Sequence, residues 1–138
     1  MRTILISGAS SGIGLSIALR ELQNGNRVSL GIRNLNSIEN SSIAQGKWPK
    51  DQLIYSEYDA LNEITAKEWL SNTYKAFNGF DTLINSAGIL SKVPFLFEEG
   101  DEEEINLTMQ VNFLAVWQLC RLSWEALTAS NNGRIINK

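Results

Sequence analysis

The amino-acid sequence predicts an α/β fold, a doubly wound parallel sheet with helices on both faces. Three observations support this prediction. Strand-type and helical segments alternate along the 138 residues, the strand-type segments are continuous apolar runs, and a glycine-rich turn joins the first of them to the first helix. A parallel strand is covered by helices on both faces, so it needs an apolar residue at nearly every position.

Five strand-type runs are expected. They are TILIS (3–7), RVSLGI (27–32), DQLIYSEYD (51–59), DTLINSAG with its turn (81–88) and the start of a strand in GRIINK (133–138). The first helix follows the glycine turn and stops at Asn24-Gly25, because asparagine and glycine commonly end helices. Residues 33–50 are polar and predict mostly loop with one short helix.

Two further helices complete the alternation. Residues 63–77 are expected to form a helix that ends at Asn78-Gly79. Its apolar residues near one face are predicted to be Ile64, Trp69, Tyr74 and Phe77. A long helix is predicted from Glu102 to about Ala129. Four of its residues are expected to pack on the sheet or on a second subunit: Trp117, Leu119, Cys120 and Trp124.

The composition limits the possible classes of protein. One domain, 1–138, is expected, since the chain is too short for two cores. A net charge of −3 without a basic cluster gives no indication of nucleic-acid binding. No apolar run is long enough for a membrane span and no secretory signal is evident, so a cytoplasmic protein is expected, in agreement with a single cysteine. The absence of histidine excludes histidine-based catalysis and most zinc sites within this chain, and no metal is predicted.

The stretch SGASSGIG (7–14) is the first candidate functional segment. Between a strand and a helix N-terminus, unpaired backbone N–H groups and the helix dipole favour an anion. Gly8 would allow the tight turn, Gly12 the close approach of a phosphate, and Gly14 the packing of the helix against the strand. Ser10 and Ser11 could add hydroxyl donors. The alternative is a glycine-rich turn that binds no ligand.

The spacing G-x-x-x-G-x-G resembles the cofactor loop of the short-chain dehydrogenase/reductase family. Four later segments resemble that family in the same order: YDA (58–60), DTLINSAG (81–88), QVNFLA (110–115) and GRIIN (133–137). Ser86 stands where the family usually has asparagine, and Ser7 where it usually has threonine. The resemblance implies a Rossmann fold and an oxidoreductase that transfers hydride between a nicotinamide cofactor and a small-molecule carbonyl or alcohol. It also implies a homodimer or homotetramer.

Cofactor-binding residues are implied by the same resemblance. They are Gly8, Ser10, Ser11, Gly12, Ile13, Gly14, Arg33, Asp59, Ala60, Asn85, Ala87 and Gly88. Asp59 is expected to accept a hydrogen bond from the adenine amino group, although aspartate is also common in turns at the ends of strands. Ala87 and Gly88 are expected to pass close beneath the cofactor ribose, and Asp81 is expected to stabilise the turn into its strand.

The end of the second strand predicts NADP(H) in preference to NAD. An acidic residue there would bind both ribose hydroxyls and repel a 2′-phosphate. The sequence instead has Ile32 followed by Arg33, and the guanidinium fork suits a phosphate. The alternatives are that Arg33 is a solvated loop charge, or that it stacks on the adenine without selecting the phosphate.

Asn112 is the one catalytic residue that the resemblance identifies in this chain. In the family the matching asparagine bonds to backbone and holds a water that links the catalytic lysine to solvent. The alternative is a buried structural amide, since Asn112 lies within an apolar helical pattern.

The family's other catalytic groups are a serine, a tyrosine and a lysine in Y-x-x-x-K. No tyrosine here has a lysine four residues later, and Tyr74-Lys75 are adjacent, which places them on different helix faces. We therefore expect the N-terminal half of a dehydrogenase, truncated after the fifth strand and inactive alone. The alternatives are a non-catalytic nucleotide-binding short form or partner subunit, and a remnant that folds without binding. The apolar loop 89–100 is expected to roof part of the site and to favour a non-ionic substrate.

Overall fold

The helices and strands alternate as the sequence predicts. A computed structural model describes residues 1–138. Its strands are β1 (Thr3–Ser7), β2 (Arg27–Ile32), β3 (Leu53–Glu57), β4 (Thr82–Asn85) and β5 (Arg134–Asn137). Its α-helices are α1 (Gly12–Gln23), α2 (Ser42–Gln45), α3 (Glu63–Phe77), α4 (Glu102–Met109) and α5 (Ala115–Ala129), and a 3₁₀ turn covers Leu35–Ile38.

The five strands form one parallel sheet in the order β3-β2-β1-β4-β5. The chain therefore leaves the sheet at one edge, after β3, and returns to it as β4. That strand pairs with β1 on the side that β2 does not occupy. This change of direction opens a crevice at the carboxyl ends of β1 and β4, where ligands of doubly wound sheets bind. The doubly wound parallel sheet is confirmed.

Apolar cores lie on both faces of the sheet. Successive residues of β1 point to opposite faces, and Ile4, Leu5 and Ile6 are all buried. Ile4 and Ile6 belong to the core beneath α1, whereas Leu5 belongs to the core that Trp69 of α3 and Leu119 of α5 share. Burial on both faces explains why the central strands β1, β2 and β4 are mostly apolar.

The buried face of α3 differs from the predicted one. Trp69 and Phe77 are buried, but Ile64 and Tyr74 are 64% and 56% exposed. The prediction that all four lie on one face of the helix was therefore wrong. Residues five apart differ by about 140° around a helix of 3.6 residues per turn. The helix instead buries Thr73 one turn from Trp69.

A polar network makes that threonine stable in the core. The Trp69 indole Nε1–H donates to Ser29 Oγ at 2.9 Å, and the Ser29 and Thr73 hydroxyls are 2.7 Å apart. Gly31 makes room for the indole, because a Cβ at Gly31 would lie 2.7 Å from the Trp69 ring. Buried polar groups are tolerated when they are paired in this way.

The predicted long helix is present, with one interruption. A π-helical turn, Gln110–Leu114, joins α4 to α5 and contains Asn112. Leu119 packs in the core, whereas Trp117 and Trp124 lie on the outer surface, 65% and 62% exposed. None of the helices is both long and apolar enough to cross a membrane.

Both strands next to the crevice are fixed at their amino ends by Asp81. Its carboxylate accepts from the Arg2 guanidinium and from the Thr3 backbone N–H, each at 2.9 Å. It therefore ties the start of β1 to the start of β4, in agreement with the structural role expected for it. At the sheet edge, β5 pairs only with β4 and its side chains are exposed.

Tyr58 gives the fold a testable pH dependence. Its ring is 4% exposed and its centroid lies 5.2 Å from that of Trp69. Burial, and to a lesser degree the Asp59 carboxylate, raises the pKa of Tyr58 from 10.0 to about 12. The unfolded chain therefore loses this proton at lower pH than the folded protein, so stability falls as pH rises from 10 towards 12.

We expect the ionisation of Tyr58 to lower the free energy of unfolding by roughly 2–3 kcal/mol between pH 10 and pH 12. A tenfold change in proton affinity corresponds to about 1.4 kcal/mol, and the pKa differs by about two between the folded and unfolded states. Urea denaturation at several pH values, compared between wild type and Tyr58→Phe, measures the effect. Equal losses of stability in the two proteins would contradict it.

Candidate functional site

The crevice at the carboxyl ends of the strands forms a cleft of about 410 Å³, here called the first cleft. Most of the predicted cofactor residues line it. They are Gly8, Ser10, Ser11, Gly12, Ile13, Arg33, Asp59, Ala60, Ala87 and Gly88. Gly14 lies behind it, and Asn85 and Asn112 line a neighbouring cleft instead.

The turn after β1 touches the turn after β4 directly. Gly8 has a φ of +67°, and a Cβ added to it would lie 2.6 Å from Ala87 Cα. No side chain fits that space without moving backbone. Gly14 is equally confined, since its Cβ would lie 2.6 Å from the Gly8 carbonyl oxygen. These two glycines therefore allow the start of α1 to pack closely against the turns that follow β1 and β4.

Gly12 faces open space instead. It has a φ of +59°, and no other residue has an atom within 4 Å of where its Cβ would be. The backbone N–H groups of Ser11, Gly12 and Ile13 have no acceptor in the protein. The first turn of α1 contains no acidic residue, and the Ser11 side chain makes no capping hydrogen bond. Unpaired amides at a helix N-terminus attract an anion.

Ser7 joins the two turns by hydrogen bonds. Its buried hydroxyl oxygen accepts from the backbone N–H groups of Ser86 and Ala87, each at 3.1 Å. From the sequence, Ser7 is distinguished only as a departure from the family pattern. The signal that could have identified it is a hydroxyl on the last residue of an apolar strand, directly before the glycine turn.

Arg33 and Asp59 bring charge to the first cleft from the ends of β2 and β3. Arg33 is exposed and takes no part in the protein's ion pairs. Asp59 Oδ1 accepts from the Leu61 backbone N–H at 2.9 Å, which is the turn geometry named as the alternative for this residue. Its other carboxylate oxygen has no such bond and remains available.

The second cleft, of about 780 Å³, lies between the β4 turn and α5. Ile89, Phe113 and Trp117 give it apolar walls, and it shares the segment 86–89 with the first cleft. Any movement of that shared segment therefore changes both clefts.

Asn112 fixes the end of the shared segment. Its Oδ1 accepts from Ile89 N–H at 2.9 Å and its Nδ2 donates to Ile89 carbonyl oxygen at 2.8 Å. The side chain is exposed, so the alternative of a buried amide is wrong, although the bonding to backbone that it implied is present. Its apolar neighbours Phe113 and Leu114 are exposed as well, so the apolar pattern of this segment does not indicate burial of the face on which Asn112 lies.

Asn85 lies at the floor of the second cleft and is 2% exposed. Its Nδ2 donates to Asn137 Oδ1 at 2.8 Å and lies 3.7 Å from Cys120 Sγ. Its Oδ1 is buried without a partner. The contact with Asn137 is not expected from the sequence, because it depends on the register between β4 and β5.

No group of three or more cysteine, aspartate or glutamate side chains is placed to hold a metal ion. Among the tyrosines, Tyr58 lines the first cleft, and burial raises its pKa from 10.0 to about 12. The arrangement is suited to holding a phosphate-containing ligand between the glycine turn and Arg33.

Comparison with known proteins agrees with this geometry. The family model for short chain dehydrogenases matches residues 2–138. Agropine synthesis reductase of Rhizobium rhizogenes is 32% identical over 134 residues, and a 2,5-dichloro-2,5-cyclohexadiene-1,4-diol dehydrogenase of Sphingobium indicum is 29% identical over 136 residues. The matched region is 97% and 99% of this chain, but 30% and 53% of those proteins.

Solved structures show the same relation. A short-chain dehydrogenase/reductase described as glucose/ribitol dehydrogenase, from Brucella melitensis, superposes with a TM-score of 0.81 at 25% identity, over 91% of this chain and 52% of that one. A short-chain dehydrogenase from Streptomyces avermitilis shares the fold with a TM-score of 0.85 at 21% identity, over 99% and 48%. Because the family model covers nearly the whole sequence, this chain belongs to the short-chain dehydrogenase family.

Proposed function

We propose that this chain binds NADP(H) and forms the dinucleotide-binding part of an oxidoreductase that transfers hydride between the nicotinamide and a small-molecule carbonyl or alcohol. The observation that carries the proposal is the first cleft, where unpaired backbone amides at the start of α1 face open space beside an unpaired Arg33. Family membership supports the reaction class, and the substrate is proposed only as a class.

The residues present fit such a cofactor. The space in front of Gly12 is open, so a phosphate could approach the amides of Ser11, Gly12 and Ile13 without meeting a side chain. No first-turn carboxylate opposes the anion. In the same cleft, after the end of β2, Arg33 offers paired donors to a 2′-phosphate. After the end of β3, Asp59 has a free carboxylate oxygen for an adenine amino group.

The bound cofactor would supply a carbon that accepts or releases hydride. The residues of this chain bind and orient it. Ala87 and Gly88 give a flat backbone wall, which Ser7 holds from β1. Asn112 takes part in catalysis in the complete protein, and in this chain its hydrogen bonds to Ile89 hold the shared segment in place.

One observation favours a second candidate function, a non-catalytic nucleotide-binding form or a subunit of a larger assembly. Tyr58 is the tyrosine that lines the first cleft, and its pKa of about 12 makes it a poor proton donor or acceptor near neutral pH. Proton transfer would then depend on residues outside this chain. Turnover by the purified 138-residue chain would exclude this alternative, and it would also contradict the expectation that the chain is inactive alone.

We also propose a cytoplasmic homo-oligomer. The exposed tryptophans of α5, Trp117 and Trp124, support the oligomer, because large apolar side chains on one outer face commonly mark an interface. The single cysteine supports the compartment, because it allows no internal disulfide and so suits a reducing environment.

Cofactor selection tests Arg33. We expect wild type to bind NADPH at least about tenfold more tightly than NADH, because a phosphate–guanidinium contact is charge-assisted and bidentate. Arg33→Asp should remove or reverse that preference by repelling the 2′-phosphate. Lys47→Asp is the matched control, since it makes the same charge change on an exposed loop outside both clefts.

Titration calorimetry with both cofactors measures the two affinities for each protein. Equal affinity of wild type for NADPH and NADH would contradict the assignment of Arg33. A loss of preference in Lys47→Asp as large as in Arg33→Asp would show that overall charge, and not the Arg33 contact, is responsible.

The glycine turn is tested by a pair of alanine substitutions. Gly12 and Gly25 both have positive φ and both face open space, but only Gly12 lies in the first cleft. Each Gly→Ala change should cost about 1–2 kcal/mol of stability through the left-handed backbone. Gly12→Ala should also weaken NADPH binding by about tenfold or more, since its methyl group occupies the path of the phosphate.

Thermal unfolding and NADPH titration of both variants separate the two effects. Gly25→Ala should keep the wild-type affinity. If Gly12→Ala binds NADPH as tightly as Gly25→Ala does, the phosphate does not approach Gly12.

A further inference from the structure

We propose that Asn137 is a positioning residue, which acts through Asn85 to hold the Ser86–Gly88 turn in the shape that the first cleft requires. Its consequence for cofactor affinity rests on the proposed function. Its effect on the turn does not, and the two can be measured separately.

The ends of β4 and β5 hold Asn85 by both its side chain and its backbone. Asn85 and Asn137 are the last residues of their strands and lie directly opposite in the register. The Asn85 Nδ2 donates to Asn137 Oδ1 at 2.8 Å, and the next residue, Lys138, donates its backbone N–H to the Asn85 carbonyl oxygen at 3.1 Å. Two hydrogen bonds from the end of β5 thus fix the residue from which the turn departs.

The Asn137 oxygen is the main constraint on the Asn85 side chain. The Asn85 Oδ1 has no partner, and the other contact of its Nδ2 is to Cys120 Sγ at 3.7 Å, a weak acceptor. Removing the Asn137 oxygen would leave a buried amide with neither polar atom well bonded. Such an amide is costly, and it relieves the cost by rotating or by moving its backbone.

Movement of Asn85 would pass directly to the first cleft. The next two residues, Ser86 and Ala87, donate their N–H groups to Ser7 Oγ. Ala87 also lies against Gly8 at the distance at which no Cβ fits. The turn is therefore held by Ser7 from the β1 side and by Asn137 from the β5 side, and loosening either one loosens the wall of the cleft.

The test compares Asn137→Ala, Asn137→Asp and the control Arg134→Ala with wild type. Aspartate keeps an oxygen acceptor for Asn85 and alanine does not. Arg134 is exposed at the opposite end of β5, outside both clefts. Amide hydrogen exchange, followed by NMR, reports on Ser86 and Ala87, with Leu30 in β2 as an internal reference. Titration with NADPH gives the affinity.

We expect Asn137→Ala to speed exchange at Ser86 and Ala87 by about tenfold relative to Leu30, as the loss of a partly buried hydrogen bond predicts. NADPH binding should weaken by about fivefold or more. Asn137→Asp should restore both values, and Arg134→Ala should change neither.

Unchanged exchange at Ser86 and Ala87 in Asn137→Ala would overturn the proposal. A rise that is equal at Leu30 would also overturn it, because it indicates general destabilisation, and so would an aspartate variant that behaves like alanine. If exchange changes as expected but wild type does not bind NADPH, the proposed function is wrong and the positioning role stands.

Discussion

The contact between the turn after β1 and the turn after β4 is the constraint on which the site depends. Gly8 and Ala87 approach so closely that no side chain fits at Gly8, and the Ser7 hydroxyl accepts two backbone hydrogen bonds from the β4 turn. Because β1 and β4 are neighbours in the sheet, this contact closes the inner end of the first cleft. The residues of the glycine turn that carry free amides line this cleft.

The start of α1 lacks the features that usually stabilise a helix N-terminus, and it is suited to binding a ligand. It has two glycines in its first turn, no acidic residue there and no side-chain cap. Each of these features weakens a helix by leaving its first amides unpaired or its backbone more flexible. Proteins commonly break local rules where function requires it, and here the unpaired amides are the groups that would bind phosphate.

The shared segment 86–89 couples the two clefts. Ser7 holds it at one end, and Asn112 holds it at the other through both polar atoms of its amide. The π-helical turn between α4 and α5 carries Asn112, which is exposed. Such interruptions of helices are frequent at functional sites, because they redirect a side chain without ending the helix.

The order of strands and helices, the parallel sheet and the glycine turn after β1 were determined by the sequence alone, since each depends on local periodicity or on the backbone freedom of nearby glycines. Tertiary structure decided the rest. The buried face of α3 includes Thr73 because its hydroxyl bonds to Ser29 Oγ, which also accepts from the Trp69 indole N–H. An apolar pattern does not predict a buried threonine of this kind. The contacts of Ser7 with Ala87 and of Asn85 with Asn137 join residues 80 and 52 positions apart. Hydrogen bonds between such distant residues depend on strand register, which local sequence pattern does not contain.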